Sequence, residues 1–149
     1  MNVPNLLIKT GIITIICLFL TSAQAQIAQG RWEITQVVVE KNNNGNMDTT
    51  VYHSAAEVKS YIRFPQIWEV KDSGTIVVQY SDGEVETDKY TLDGKQLKID
   101  RAVEMQCFQY SLSEENLTLR ITYYYISNMP GGKIEHIEEK WTIDLKKKK

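Results

Sequence analysis

Short stretches of alternating apolar and polar residues recur along most of the chain. The clearest stretch has an apolar or aromatic residue at every second position: Leu117, Leu119, Ile121, Tyr123 and Tyr125. A period of two is typical of a β-strand that buries one face. The same alternation appears within residues 32–38, 105–112 and 137–145. Together with shorter runs of β-branched and aromatic residues, the pattern predicts eight or nine strands.

Residues that favour tight turns separate these strands. Asp82-Gly83 and Asp93-Gly94 each lie between two runs of β-forming residues, and Asp-Gly in this setting is a strong hairpin signal. Further turn signals fall at residues 42–45, 72–74 and 130–132. Many short antiparallel strands joined in this way are typical of barrels and sandwiches.

We therefore predict an all-β fold, an antiparallel up-and-down barrel of eight or nine strands, with a β-sandwich as the alternative. A closed barrel hides the strand edges that a soluble β protein must otherwise protect. One short helix is expected near residues 55–61. Ser54 and Glu57 have the spacing of a capping box, and Pro65 cannot continue a helix.

The N-terminal segment has the three parts of a secretory signal peptide. Lys9 supplies positive charge, residues 11–20 are mostly apolar, and Ala23 and Ala25 offer small residues at a cleavage site. We expect residues 1–25 to be removed and the protein to be exported, to the periplasm or the medium.

The remaining chain is predicted to form one domain, with its charge spread unevenly. Residues 26–145 would be the barrel domain and residues 146–149 a solvated basic tail. Lys9 and this tail hold five of the 17 basic residues, and the other 12 stand against 19 acidic residues. A body with a net charge near −7 does not suit nucleic acid, and we expect no membrane role for the lysine tail.

No residue grouping points to catalysis, a cofactor or a metal. Cys107 alone would remain after cleavage, and we interpret it as a buried apolar residue rather than a nucleophile. His136 and Glu138 share a strand face, but two ligands do not make a zinc site. No Ser/His/Asp grouping or glycine-rich phosphate loop stands out, so we predict that the protein is not an enzyme.

Four acidic residues alternate near the middle of the chain: Asp82, Glu84, Glu86 and Asp88. Carboxylates in a cluster could hold Ca²⁺, but a flat row on one strand does not wrap an ion. We expect this row to form a solvated strand face that discourages aggregation.

Several segments resemble a known family. Gly30-Arg31-Trp32 matches the Gly-x-Trp motif that begins the first strand of lipocalins and fatty-acid-binding proteins. Residues 90–99, 112–119 and 139–143 look like the central hairpin, the next hairpin and the closing strand of small secreted lipocalin-like proteins from Bacteroidetes. The resemblance implies a lipocalin-like barrel, with Trp32 packed across its closed end. The arginine that lies under this tryptophan in lipocalins has no counterpart in the last strand, where lysines stand.

The candidate site is a set of strand aromatics whose inward members would face the barrel interior: Trp68, Phe108, Tyr110, Tyr123, Tyr125 and Trp141. They could line a pocket, in which case the protein binds a small hydrophobic ligand. They could also fill the interior. The barrel would then act as a protein-interaction or inhibitor module, with no internal cavity and an exposed apolar patch.

Overall fold

The computed structural model describes residues 27, 29–58, 64–71, 74–101, 105–128 and 130–149. These residues form nine antiparallel strands in one sheet. The strands are β1 (Gly30–Asn43), β2 (Asn46–Tyr52), β3 (Pro65–Val70), β4 (Thr75–Tyr80), β5 (Val85–Asp93), β6 (Gln96–Asp100), β7 (Met105–Leu112), β8 (Asn116–Asn128) and β9 (Ile134–Lys148).

Eight of the nine strands close into a barrel. Their order is β1-β3-β4-β5-β6-β7-β8-β9, and β9 pairs back with β1, while β2 is an additional strand on β1. The all-β fold and the closed barrel are confirmed, and such a barrel is consistent with a calycin-like fold. The two Asp-Gly turns connect β4 to β5 and β5 to β6 as predicted.

The barrel interior is filled by side chains. Trp68 on β3 and Phe108 on β7 come from opposite walls, and their ring centroids lie 5.8 Å apart in an edge-to-face arrangement. Trp68 is 2% exposed and Phe108 is 4% exposed. Because these two rings meet across the barrel, the middle of the interior is a packed core.

The closed end of the barrel is built around Trp32, which is fully buried. Lys147 on β9 places its Nζ 5.9 Å from the centre of the Trp32 ring, a cation–π distance. Gly30 passes beside this lysine with φ at +139°. Lys147 therefore places a positive charge beside Trp32, where the resemblance to lipocalins had indicated no counterpart of their arginine.

The lysine run was predicted to be a solvated tail outside the barrel domain, but it is the last part of β9, which continues through Lys148. Lys146, Lys147 and Lys148 pair with the first residues of β1. Alternation then turns Lys147 inward and its neighbours outward, and Lys148 Nζ lies 3.3 Å from a carboxylate oxygen of Glu33. The early part of β1 would otherwise have an unpaired edge, so the strand pairing orders the lysines.

Part of the sheet projects beyond the barrel. On one edge, β1 pairs with β3 only through residues 30–33 and with β2 along residues 37–43. On its other edge it pairs with β9, with a register shift between Ile34 and Gln36. β8 leaves β7 after Arg120 but stays paired with β9 as far as Asn128. The upper halves of β2, β1, β9 and β8 thus form a four-stranded sheet above the barrel mouth, called the extension here (residues 37–43, 46–52, 121–128 and 134–143).

Two local predictions were wrong in the described residues. The segment near 55–61 shows one 3-10 turn, Ala55–Glu57, without a side-chain cap from Ser54. Glu57 instead accepts a hydrogen bond from the backbone N–H of His53 at 2.9 Å. Residues 59–63, like the predicted signal peptide, lie outside the described residues.

Cys107 is exposed, because Phe108 takes the inward position beside it.

Candidate functional site

Three of the six predicted site aromatics belong to the barrel core. Trp68 and Phe108 meet across the interior, and Tyr110 is 9% exposed. The Tyr110 hydroxyl donates to the backbone oxygen of Gly94 at 3.2 Å. These three side chains pack inside the barrel, as expected for the alternative in which the aromatics fill the interior.

The other three aromatics lie at the mouth, on the inner face of the extension, which continues the lining of the barrel. Trp141 is half-buried and stacks on Phe64, with ring centroids 5.7 Å apart. Tyr123 is 38% exposed and Tyr125 is 40% exposed. The structure therefore divides the predicted set. Three aromatics belong to the closed core, and the other three form an open surface at the mouth, called the aromatic shelf here (Tyr123, Tyr125 and Trp141).

Glu139 organises this shelf. Its carboxylate accepts a hydrogen bond from Trp141 Nε1 at 2.9 Å and one from the Tyr125 hydroxyl at 2.6 Å. Burial, and next the hydrogen bond to Glu139, raise the pKa of Tyr125 from 10.0 to about 12. The Tyr125 phenol thus remains a hydrogen-bond donor throughout the physiological range. Sequence reasoning missed Phe64, which lies just before β3, and Glu139, which shares a face of β9 with Trp141 but is a charged residue among apolar ones.

Replacing Glu139 with glutamine is expected to lower the Tyr125 pKa toward its ordinary value, because the charged acceptor is removed. The raised pKa stabilises the folded protein below pH 10.0, and that stabilisation is lost as pH rises through about 12. Carbon NMR of labelled tyrosine rings during a pH titration would measure the shift.

Glu138→Gln is the matched control for this titration. Glu138 accepts a hydrogen bond from Tyr124 at 3.2 Å on the opposite face of the extension. The control should leave the Tyr125 titration in place. An equal shift in both variants would show that Glu139 has no specific effect.

A second polar group lies inside the mouth, on the wall formed by β4, β5 and β6. The Tyr80 hydroxyl donates to a Glu86 oxygen at 2.6 Å, and Arg101 Nη1 donates to that hydroxyl at 3.2 Å. Arg101 Nε also lies 3.6 Å from Asp88 Oδ2. Burial is the main cause that raises the pKa of Tyr80 and of Asp88 above their ordinary values. The four groups therefore form one contiguous polar cluster in the barrel mouth.

The predicted solvated acidic row is wrong for two of its four members. Asp82 and Glu84 are exposed at the β4–β5 turn, but Glu86 and Asp88 are half-buried. They share the inward face of β5 with Tyr90 and Leu92. The period-two pattern correctly predicted that they share one face of β5. It did not show whether that face points into the barrel or to solvent.

The outer face of the extension carries a set of apolar side chains that sequence reasoning missed. Its members are 43% to 76% exposed: Met47, Val51, Tyr124, Ile126 and Ile134. A depression of about 460 Å³ lies among the β1–β2 turn, β8 and β9, and its lining includes Tyr124, Ile126 and His136. The sequence feature that could have predicted this face is the run from Ile121 to Asn128. It has no charge and has large side chains at both odd and even positions.

The described ranges contain no metal cluster and no membrane-spanning helix. No group of three or more His, Cys, Asp or Glu side chains there could hold a metal ion. No helix among those residues is long and apolar enough to cross a membrane. Comparison of the chain with protein-family models, curated proteins and solved structures found no match.

Proposed function

We propose that this chain is an exported, lipocalin-like binding module without catalytic activity, and that its partner is a protein that docks on the extension. The observation that carries the proposal is the set of exposed apolar side chains on the outer face, of which Tyr124, Ile126 and Ile134 lie close together on β8 and β9. Soluble proteins rarely expose large apolar side chains together unless the surface meets a partner.

The composition of this face supports a protein partner. Tyr124, Ile126 and Ile134 lie together on β8 and β9, and the exposed Glu40 and Lys140 separate them from Met47 and Val51 on β2. Apolar side chains bordered by charged ones are usual in protein interfaces. The rings of Trp68 and Phe108 occupy the barrel centre, where a lipocalin-like protein would otherwise hold a ligand.

The aromatic shelf supports a second candidate, binding of a small hydrophobic molecule at the mouth. Tyr123, Tyr125 and Trp141 offer ring surface there, and Phe64 lies beside them. Each square ångström of apolar surface that a ligand buries would contribute about 25 cal/mol. This candidate places the ligand above the core instead of within it.

Native mass spectrometry of the protein, purified gently from its own host, separates the two candidates. An added mass of protein size, absent after denaturation, is expected. A small added mass would favour ligand binding on the aromatic shelf. A chain that carries neither, even when its host extract is added back, would contradict both.

A further inference from the structure

The upper half of β8 has one edge that no strand of the described chain covers. β7 pairs with β8 only between Leu117 and Arg120. Above Arg120, the described partner of β8 is β9 alone. Among the described residues, the opposite edge from Thr122 to Asn128 therefore has no strand partner.

The hydrogen bonds at the base of β8 show which backbone groups point to this edge. The Asn116 carbonyl accepts from Ser113 N–H on the β7 side at 2.8 Å, and the Glu115 carbonyl accepts from Lys147 N–H on the β9 side at 2.9 Å. Backbone direction alternates along an antiparallel strand. Even-numbered residues therefore direct their N–H and C=O groups to the open edge: Thr122, Tyr124, Ile126 and Asn128.

This edge lacks the devices that normally prevent edge pairing. Proteins protect such edges with lysine, proline or a bulge. The segment 121–128 contains no charged residue and no proline, and its register with β9 is continuous. Tyr124 and Ile126 are also 76% and 61% exposed. The edge is therefore suited to strand addition.

We propose that a second copy of this chain occupies the edge. The two β8 strands pair antiparallel about a two-fold axis at Tyr125, so that two extensions join into one continuous sheet. This proposal rests on the proposed function, because it takes the extension as the binding surface. It adds that the partner is a second copy of the chain.

The segment is complementary to itself in this register. Tyr124 lies opposite Ile126 of the partner subunit, an aromatic pair with a β-branched residue that favours sheet pairing. Tyr123 lies opposite Ser127 of the partner subunit, so a large side chain meets a small one. All four residues whose backbone groups point to the open edge find hydrogen-bond partners on the second copy. The segment is uncharged, so the pairing brings no like charges together.

Sedimentation equilibrium on the intact protein tests this pairing with two matched variants. Ile126→Lys places a charge on the edge, and Val85→Lys places one on the barrel wall at the start of β5. Ile126 and Val85 are 61% and 57% exposed. The wild type and Val85→Lys should be dimers. Ile126→Lys should dissociate at least about tenfold more readily and should keep the wild-type circular dichroism spectrum, which shows that the monomer is folded.

Other outcomes would overturn the second-copy proposal. A wild type that stays monomeric at high concentration would do so, as would equal dimerisation of Ile126→Lys and the wild type. Equal loss in both lysine variants would show that an added charge anywhere on the chain, and not a charge on the β8 edge, weakens the dimer. A monomer that still carries a different protein in native mass spectrometry would leave the proposed function in place.

Discussion

Replacing Trp68 with alanine is expected to lower the free energy of unfolding by about 3–5 kcal/mol. Its indole is 2% exposed and meets Phe108 from the opposite wall. The substitution leaves a void in the middle of the barrel that the strands cannot close without breaking their pairing. The indole N–H has no hydrogen-bond partner among the described residues, so the loss comes from packing. Urea unfolding followed by circular dichroism measures it.

Trp141→Ala is the matched control at the mouth. That ring is only half-buried, stacked on Phe64, and its removal should cost about 1–2 kcal/mol. If Trp68→Ala cost no more than Trp141→Ala, the barrel centre would not be a packed core. The interior would then return as the candidate ligand site.

Gly30→Val is expected to destabilise the fold by about 2–4 kcal/mol. Gly30 has φ at +139°, a conformation that a β-branched residue adopts only with strain. An added Cβ would also lie 2.8 Å from Lys147 Cε. Moving this lysine would remove the cation–π contact with Trp32 at the closed end. Urea unfolding again gives the measurement.

Adding Lys147→Ala to Gly30→Val separates strain from crowding. Removal of the lysine side chain should relieve only the part of the cost that comes from the close contact. The part that comes from the backbone should persist. Full recovery of stability in the double variant would show that the Gly30 backbone is not strained.

Local patterns predicted the strands and the barrel well. Alternation from Leu117 to Tyr125 marks β8, and Asp82-Gly83 and Asp93-Gly94 mark the two hairpins around β5. Both signals depend on residues close together in the chain, where period and turn chemistry decide the outcome. Phe108 and Tyr110 were likewise placed on one face, and the structure turns that face inward.

Features that depend on distant strand partners were not predictable in the same way. Alternation placed Glu86 and Asp88 together, but Tyr80 and Arg101 had to come from neighbouring strands to pair with them. Nothing local indicated that β1 changes partner from β3 to β2. That change, together with the end of β7–β8 pairing at Arg120, creates the extension, its outer face and the open edge of β8.

Site-specific photo-crosslinking in the exporting host would test the central claim most directly, namely that the extension is the binding surface. A crosslinking amino acid at Ile134 reports on the outer face, and one at Thr91, an exposed position on the barrel wall strand β5, is the control. We expect a protein adduct from position 134 and none from position 91. Adducts at both positions, or at position 91 alone, would contradict the assignment of binding to the extension.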